Sequence, residues 1–258
     1  MTYIVTVTYN DAENLRFTFE SVRKNKKGTQ KYIVIDGGSK DDSLTAIKEN
    51  EDIIDAYMSE PDKGLYDAMN KILRYDVNDD DYIIWINAGD ELTDWGDFEP
   101  SILGCDAVFA PVIKKSERNA KQKGIVIQPV IHLPYNERNF YPKTLYQHQG
   151  FLVRANLFRK LQYDISIGLQ AENLLMSQAI LNGTSCTYDK PVSVYYTDGM
   201  SNNKTIQVMK SYFKVAKQLG FSLFKVAFYH LPFLLKALVY EVLPKSFVEY
   251  YKKTKYNQ

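Results

Sequence analysis

Cysteine and histidine are scarce in this 258-residue chain, with two of the first and three of the second. Cys105 and Cys186 lie far apart in sequence and match neither a disulfide framework nor a metal-ligand spacing. A reducing, cytoplasmic setting is therefore expected. Three scattered histidines make no metal cluster. Met1-Thr2-Tyr3-Ile4-Val5 enters a strand at once, so no signal peptide is expected. There is no internal repeat and no low-complexity linker. The greasiest stretch, 221–240, is interrupted by Lys225, His230, Pro232 and Lys236, which argues against a transmembrane span. No Gly-rich phosphate loop follows the first strand, where Thr8-Tyr9-Asn10-Asp11 stands instead; this speaks against a nucleotidyltransferase.

What is present describes a soluble globular chain, with 45% apolar and 24% charged residues and room for one large domain or one with an appended segment. Tyrosine is abundant, 20 residues, which suits a polar groove lined with rings. A net charge of +1 conceals an asymmetry. Residues 1–100 carry 11 Lys and Arg against 22 Asp and Glu, and the remainder of the chain carries 21 against 9. Ten lysines from Lys204 onward face only Glu241 and Glu249. An acidic front disfavours nucleic acid as a partner. A basic tail suits an anionic partner, and equally a set of solvated helix faces.

The chain reads as strand, helix, strand, helix, strand, helix, strand over its first third. Strands are expected at 3–8, 31–36, 53–58 and 82–86, and helices at 12–24, after Asp41 or Asp42, and at 65–75, with Asp11 as a cap. Elements of this kind and length predict an α/β fold, a doubly wound, mostly parallel sheet. The second half is less regular: strands at 106–113 and 124–131, helices at 154–161 and 172–181, and a closing strand at 192–196. Residues 206–243 read as helical, apolar and basic at the flanks. An interfacial helix pair is one reading; packing on the core or on a second copy is the other.

The chemistry gathers around Asn87-Ala88-Gly89-Asp90, which ends the buried run Tyr82-Ile83-Ile84-Trp85-Ile86. In open α/β sheets ligands sit beyond the carboxyl ends of the strands. Asp90 is thus placed for a hard cation or a phosphate-bearing ligand, and the same four residues also read as a plain turn.

Four ordered segments now resemble family 2 glycosyltransferases of GT-A fold. They are Ile4–Asn10, Val34-Ile-Asp-Gly-Gly-Ser-Lys-Asp-Asp42, Glu60-Pro-Asp-Lys-Gly-Leu-Tyr-Asp-Ala-Met-Asn70, and Asn87–Asp90, the last at the place of the family's Asp-x-Asp-type metal motif. A further echo, Gln147-His-Gln-Gly-Phe151, Tyr163-Asp164, Gln170-Ala-Glu-Asn173 and Asp198-Gly-Met-Ser201, resembles the subgroup that assembles bacterial surface polysaccharides. The chain departs from that pattern with Glu172 for the usual Asp, Asp198 for Gly, and Ile72 for Gly.

The resemblance implies a GT-A domain over 1–203, with a nucleotide-sugar half (1–100) and an acceptor half (101–203), and a helical tail at 204–258. It implies that Asp90 holds a divalent cation, Mn²⁺ or Mg²⁺, with Asn87 offering a neutral oxygen beside Ala88 and Gly89. Asp36 is implied to hydrogen-bond the nucleobase, with Thr8, Tyr9 and Asn10 walling base and ribose. Tyr9 equally reads as a packed ring. Asp62, Lys63 and Gly64 form a loop whose backbone approaches the donor, and Asp67 and Asn70, three apart, share a helix face. Glu172 stands at the family's general base, with Asp164 in reserve, and His148 is placed toward acceptor or diphosphate.

The implied activity is inverting transfer of one sugar from a nucleotide-sugar, UDP-linked by resemblance, to a glycan or lipid-linked glycan. The tail would serve as a peripheral membrane contact on the inner face of the cytoplasmic membrane, or as a dimer contact. The alternative is a non-catalytic nucleotide-sugar-binding or scaffolding protein that kept the pocket and lost the base.

Overall fold

Thr2–Thr8 forms β1, buried along its whole length, as a strand covered on both faces must be. The structure, a computed structural model, describes residues 1–116, 124–131, 134–140, 147–196 and 205–242. β1 pairs in parallel with β2 (Gln30–Asp36), and β3 (Ala56–Ser59) extends the sheet beyond it. Helices α1 (Ala12–Asn25) and α2 (Ser43–Glu49) make the crossovers. After β3, α3 (Leu65–Asn70) tightens into a 3₁₀ turn over Lys71–Arg74. The chain then returns to the other side of β1 as β4 (Tyr82–Trp85), again parallel. The winding therefore reverses between β1 and β4, where ligands bind in sheets of this type.

Successive strand residues point to opposite faces, and the core divides accordingly. Tyr3, Val5, Val7, Ile33, Ile35, Ile83 and Trp85 pack with Ala68 and Met69 of α3 on one face. Ile4, Tyr32, Val34, Tyr82 and Ile84 face Leu15, Phe19 and Val22 of α1 and Ala46 and Ile47 of α2. Truncating any one of the large residues here to Ala should cost about 2–5 kcal/mol.

The second half corrects several expectations. The expected strand over 106–113 is two strands, β6 (Ala107–Phe109) and β7 (Val112–Lys115), which belong to different sheets. The break falls at Ala110-Pro111, because proline has no N–H for a ladder. A short β5 (Glu91–Leu92) precedes them, and β8 (Ile125–Ile127) is all of the expected 124–131 strand. An unexpected β9 (Phe151–Arg154) lies antiparallel between β4 and β6. It runs straight into α4 (Ala155–Leu161) with no turn residue between them to reveal it.

α5 (Ala171–Asn182), β10 (Ser185–Thr187), β11 (Ser193–Tyr196), α6 (Thr205–Gln218) and α7 (Leu223–Val242) follow. The main sheet has seven strands in the order β10-β6-β9-β4-β1-β2-β3, and a second sheet of four runs β5-β11-β7-β8.

Smaller corrections have local causes. Residues 51–54 turn instead of joining β3, with N–H groups of Ile53 and Ile54 bonded to the carbonyls of Asn50 and Glu51. Asp11 makes no cap bond; the carboxylate of Asp41 takes the N–H of Ala12 at 3.0 Å and of Ser43 at 3.1 Å. Cys105 and Cys186 do not stay apart. Parallel pairing of β10 with β6 brings them together across 81 residues, with Cα atoms 6.0 Å apart, and they are bonded.

Tyr212, Val215 and Ala216 of α6 and Val226 of α7 are buried in the main core, so this part of the tail packs inward. Pro232 sits inside α7 without ending it. Among the described residues no helix is long and apolar enough to cross a membrane.

Candidate active site

The loops after β1 and β2 are knitted by hydrogen bonds. Asn10 adopts φ +48°, a left-handed conformation that Asn tolerates better than most side chains. Its Oδ1 accepts from the N–H of Lys40 at 2.6 Å, and its own N–H donates to Ser39 Oγ at 2.7 Å. Asp36 is fully buried at the end of β2. Its carboxylate accepts from the N–H groups of Gly38 (3.2 Å) and Ser39 (3.1 Å) and from the hydroxyls of Ser59 (2.6 Å) and Ser39. Asp36 thus orders its own loop, while Tyr9 projects outward with 61% of its surface exposed.

The 60–64 segment closes on that loop. A Cβ at position 37 would lie 2.4 Å from Asp62 Oδ2, so only glycine permits this approach. Asp62 Oδ1 takes the N–H of Gly64 (2.8 Å), and Asp67 takes the N–H of Lys63 (2.9 Å). Lys71, which sequence reasoning passed over, is buried beneath: its Nζ donates to the carbonyls of Pro61 (3.1 Å) and Glu60 (3.3 Å) and pairs with the Glu60 carboxylate at 3.1 Å. Its only sequence signal is a lysine set between the apolar residues Met69 and Ile72.

Beyond β4, the turn Asn87–Asp90 is pinned by its neighbours. Ala88 N–H bonds Val7 O at 3.3 Å, and Asp90 N–H bonds Asn87 O at 2.9 Å. Thr18 Oγ1 of α1 accepts from Gly89 N–H (3.0 Å) and donates to Asp90 O (2.8 Å). Two buried oxygens here, Thr8 Oγ1 and Asn87 Oδ1, have no hydrogen-bond partner among the described residues. Leaving such a group unpaired costs about 1–3 kcal/mol. The Asp90 carboxyl is buried beside them, and after burial itself its charge is the cause that pushes the Tyr195 phenol upward from β11.

One carboxylate and one unpaired carboxamide oxygen are hard ligands that fit a divalent cation. No three His, Cys, Asp or Glu side chains converge among the described residues. Such a cation would complete its shell with phosphate oxygens and water, as Mg²⁺ and Mn²⁺ do with nucleotides.

Glu172 lies in the first turn of α5. Glu172 is half-buried, and desolvation pushes its carboxyl up to about 7. The neighbours are rings. Tyr66 and Tyr163 stack with centroids 5.3 Å apart, and both phenols are pushed upward, by burial first and by the Glu172 charge second. Tyr163 Oη lies 2.5 Å from His148 Nε2. His148, only 4% exposed, is pushed down to about 4 by burial, so it is a neutral imidazole near pH 7. Trp85 packs against His148 and Tyr163.

Asp164 is occupied elsewhere. Its carboxylate takes the N–H of Ser166 (2.9 Å) and Gln218 Nε2 (2.7 Å), and these bonds hold it below the usual range. Asn70 bridges to the backbone of Tyr163. The structure therefore sets Thr8, Asn87 and Asp90 at the ends of the neighbouring strands β1 and β4, ties the Asp62-Lys63-Gly64 loop to Asp67 in the first turn of α3, and puts Glu172 near the phenols of Tyr66 and Tyr163. Asp198 lies outside the described residues.

The glycosyl transferase family 2 profile matches residues 3–161, more than half of the chain, and the chain belongs to that family. Two uncharacterized glycosyltransferases of Mycobacterium tuberculosis, MT1564 (strain CDC 1551 / Oshkosh) and Rv1514c (strain H37Rv), are each 24% identical over 225 residues, 78% of this chain and 77% of theirs. Among solved structures, S. aureus TarS 1–349 in complex with UDP is similar with a TM-score of 0.61 at 13% identity, over 89% of this chain and 65% of that one. The chain thus spans just under two thirds of the TarS chain. The mannosyltransferase PcManGT from Pyrobaculum calidifontis, in complex with GDP-Man and Mn²⁺, has a TM-score of 0.59 at 13% identity, covering 98% and 79%. At such identities the likeness is one of fold, and the fold is GT-A.

Proposed function

We propose that this chain transfers one sugar, with inversion, from a nucleotide-sugar to a hydroxyl of a lipid-linked glycan during assembly of a bacterial surface polysaccharide, with a UDP-sugar as the first donor to test. The observation that carries the donor half of this reading is the pair of unpartnered buried oxygens, Thr8 Oγ1 and Asn87 Oδ1, where the winding reverses beside Asp90. In that reading Asp90 and Asn87 would hold a divalent cation beside the donor. When bound, a divalent cation supplies positive charge to the departing diphosphate. Thr8 and Tyr9 wall the nucleoside, and the 62–64 backbone lies along the donor. Asp36 acts through its loop.

Glu172 accepts the proton of the acceptor hydroxyl as that oxygen attacks. A base poised near the working pH suits this task, because it is ionised before the attack and still holds the proton afterward. His148, neutral and covered, supports Tyr163.

The α7 face opposite Val226 and His230 leaves Phe224, Phe228, Leu231 and Leu235 exposed, the first two at 83% and 69%. These positions recur at helical spacing, and the surrounding sequence is strongly basic. We assign this face to an anionic bilayer on the cytoplasmic side, where a lipid-linked acceptor is presented. Vesicles of phosphatidylglycerol and phosphatidylcholine should bind the full chain, less so at high salt, and not the Phe224→Ser/Phe228→Ser variant. Dimerisation without vesicle binding would overturn that assignment.

The donor reading is tested by thermal shift with UDP-GlcNAc, UDP-glucose and GDP-mannose, with and without Mn²⁺. A Mn²⁺-dependent rise with at least one donor, equivalent to about 2.7 kcal/mol at a hundredfold excess over Kd, and its loss in Asp90→Ala, are expected. No metal-linked shift with any donor would sink it. A shift without turnover, unchanged in Glu172→Gln, would assign binding without catalysis.

A further inference from the structure

Two consecutive carbonyls of the 60–64 segment, those of Glu60 and Pro61, meet a single ammonium. Lys71 Nζ donates to Pro61 O at 3.1 Å and to Glu60 O at 3.3 Å, and lies 3.1 Å from the Glu60 carboxylate. A lysine head has three N–H donors and no acceptor, so these three oxygens match it in number. The side chain is only 5% exposed. Lysine ordinarily keeps its charged head in water, and a charge is buried at a cost unless it is paired and hydrogen-bonded. Here the pairing is built mainly from the backbone of one loop.

The same segment is fixed against the loop after β2. Glu60 N–H donates to Asp36 O at 3.0 Å. Gly38, at φ +80°, leaves Pro61 N only 3.1 Å from where a Cβ would stand, and Gly37 admits the Asp62 carboxylate. Lys71 itself has a firm base, because it follows directly on Asn70, whose carboxamide is bonded to the backbone of Tyr163.

We infer that Lys71 is a positioning residue for the donor: its ammonium gathers the Glu60 and Pro61 carbonyls, holds the segment against Gly37 and Gly38, and so sets where Asp62, Lys63 and Gly64 stand. This role rests on the reading of 62–64 as lying along the donor. The Glu60 carboxylate is the lesser partner. It is 38% exposed and is shared with Arg74, and exposed ion pairs contribute little. The two carbonyls carry the tether, since a backbone oxygen cannot turn to water without moving the segment itself.

Hydrogen–deuterium exchange and calorimetry on the full chain test this role. The N–H groups of Glu60, Lys63 and Gly64 are bonded to Asp36 O, Asp67 Oδ2 and Asp62 Oδ1. Lys71→Met keeps the stem and removes the ammonium. In that variant the three amides should exchange about tenfold faster, while those of β1 keep their rate. The Kd for UDP-GlcNAc, UDP-glucose or GDP-mannose, measured with Mn²⁺, should rise about tenfold. Glu60→Gln should leave both quantities within about twofold of wild type. If Lys71→Met does not fold, Lys71→Gln serves in its place, since its shorter side chain cannot reach both carbonyls.

Unchanged exchange at 60–64 without the ammonium overturns the positioning role. Faster exchange with an unchanged Kd also overturns it, and leaves the donor reading standing, when Gly37→Ala still weakens donor binding. If neither variant weakens the donor, the 60–64 segment is no part of the donor site, and the role falls with that reading.

Discussion

The carboxamide of Asn70 and the backbone of Tyr163 exchange two hydrogen bonds across 93 residues, Nδ2 to the carbonyl and N–H to Oδ1, each 2.9 Å long. A side chain expected to face the donor thus bolts α3 to the segment between α4 and α5. Replacing it by Ala leaves two buried backbone groups unpaired. Asn70→Ala should lose about 2–4 kcal/mol in urea unfolding, and a variant of wild-type stability that merely failed to bind donor would show a direct ligand role instead.

Thr8 offers the opposite test, because its hydroxyl is buried without a partner among the described residues. Thr8→Val keeps the shape and removes the unpaired oxygen. The ligand-free protein should become about 1 kcal/mol more stable, while nucleotide affinity measured by calorimetry drops about tenfold, or ~1.4 kcal/mol. A loss of ligand-free stability would show that the hydroxyl is satisfied in solution.

Gly37 separates binding from stability in another way. The atom that a new Cβ would meet is the end of a flexible side chain, Asp62 Oδ2, at 2.4 Å. Gly37→Ala should therefore melt within a few degrees of wild type, yet Asp62 must swing off the loop, and donor KM should rise about tenfold (~1.4 kcal/mol). Unchanged KM would remove the 60–64 loop from the donor site.

Two desolvated groups act oppositely on stability in acid. Glu172, raised to about 7, favours the folded state below its unfolded pKa and loses that contribution as pH rises through 7. His148, lowered to about 4 from 6.5, favours the folded state above 6.5 and loses its contribution as pH falls toward 4. In wild type the two trends offset each other between pH 7 and 4.5. Glu172→Gln removes only the first, so its melting temperature should fall more steeply on acidification than that of wild type. Wild-type sugar transfer should rise as pH climbs through 7, and Glu172→Gln should transfer no sugar.

The Cys105–Cys186 bond closes a loop across 81 residues. Chain-entropy reasoning sets its contribution at about 4 kcal/mol or less. Reductant should lower the unfolding free energy by up to that amount, as should Cys186→Ser. Nucleotide binding should be unaffected, because β6, β9 and β4 stand between the bonded edge strand and β1. Two free thiols in the unreduced, denatured protein would disprove the bond.

Much of the first half was legible because its signals are local. Alternation in 3–8, the apolar run 82–86, apolar residues at helical spacing in 12–24, and the small, polar turns after each strand are properties of neighbouring residues, and the sheet built from them stands where expected. β9 was not legible: four residues flow directly into a helix, and only the vacancy between β4 and β6 makes Phe151–Arg154 a strand. The split of 106–113 was visible in principle at Pro111, yet which sheet each piece joins depends on Gly150, whose carbonyl accepts the Ala110 N–H at 2.8 Å.

The site divides along the same line. By itself the sequence determined the family, the α/β order of the first hundred residues, and the residue types at Asp36, Asn87, Asp90 and Glu172, since each lies at a strand end or helix start marked by local pattern. Tertiary structure decided what those side chains meet. It turned Asp36 inward to Ser39 and Ser59, gave Asn70 to Tyr163, Asp164 to Gln218 and His148 to Tyr163, buried Lys71 under the 60–64 loop, and joined two cysteines. Each of these partners is set by strand order and helix packing across many tens of residues, and burial and charge pairing depend on distance in space, which neighbouring letters do not encode.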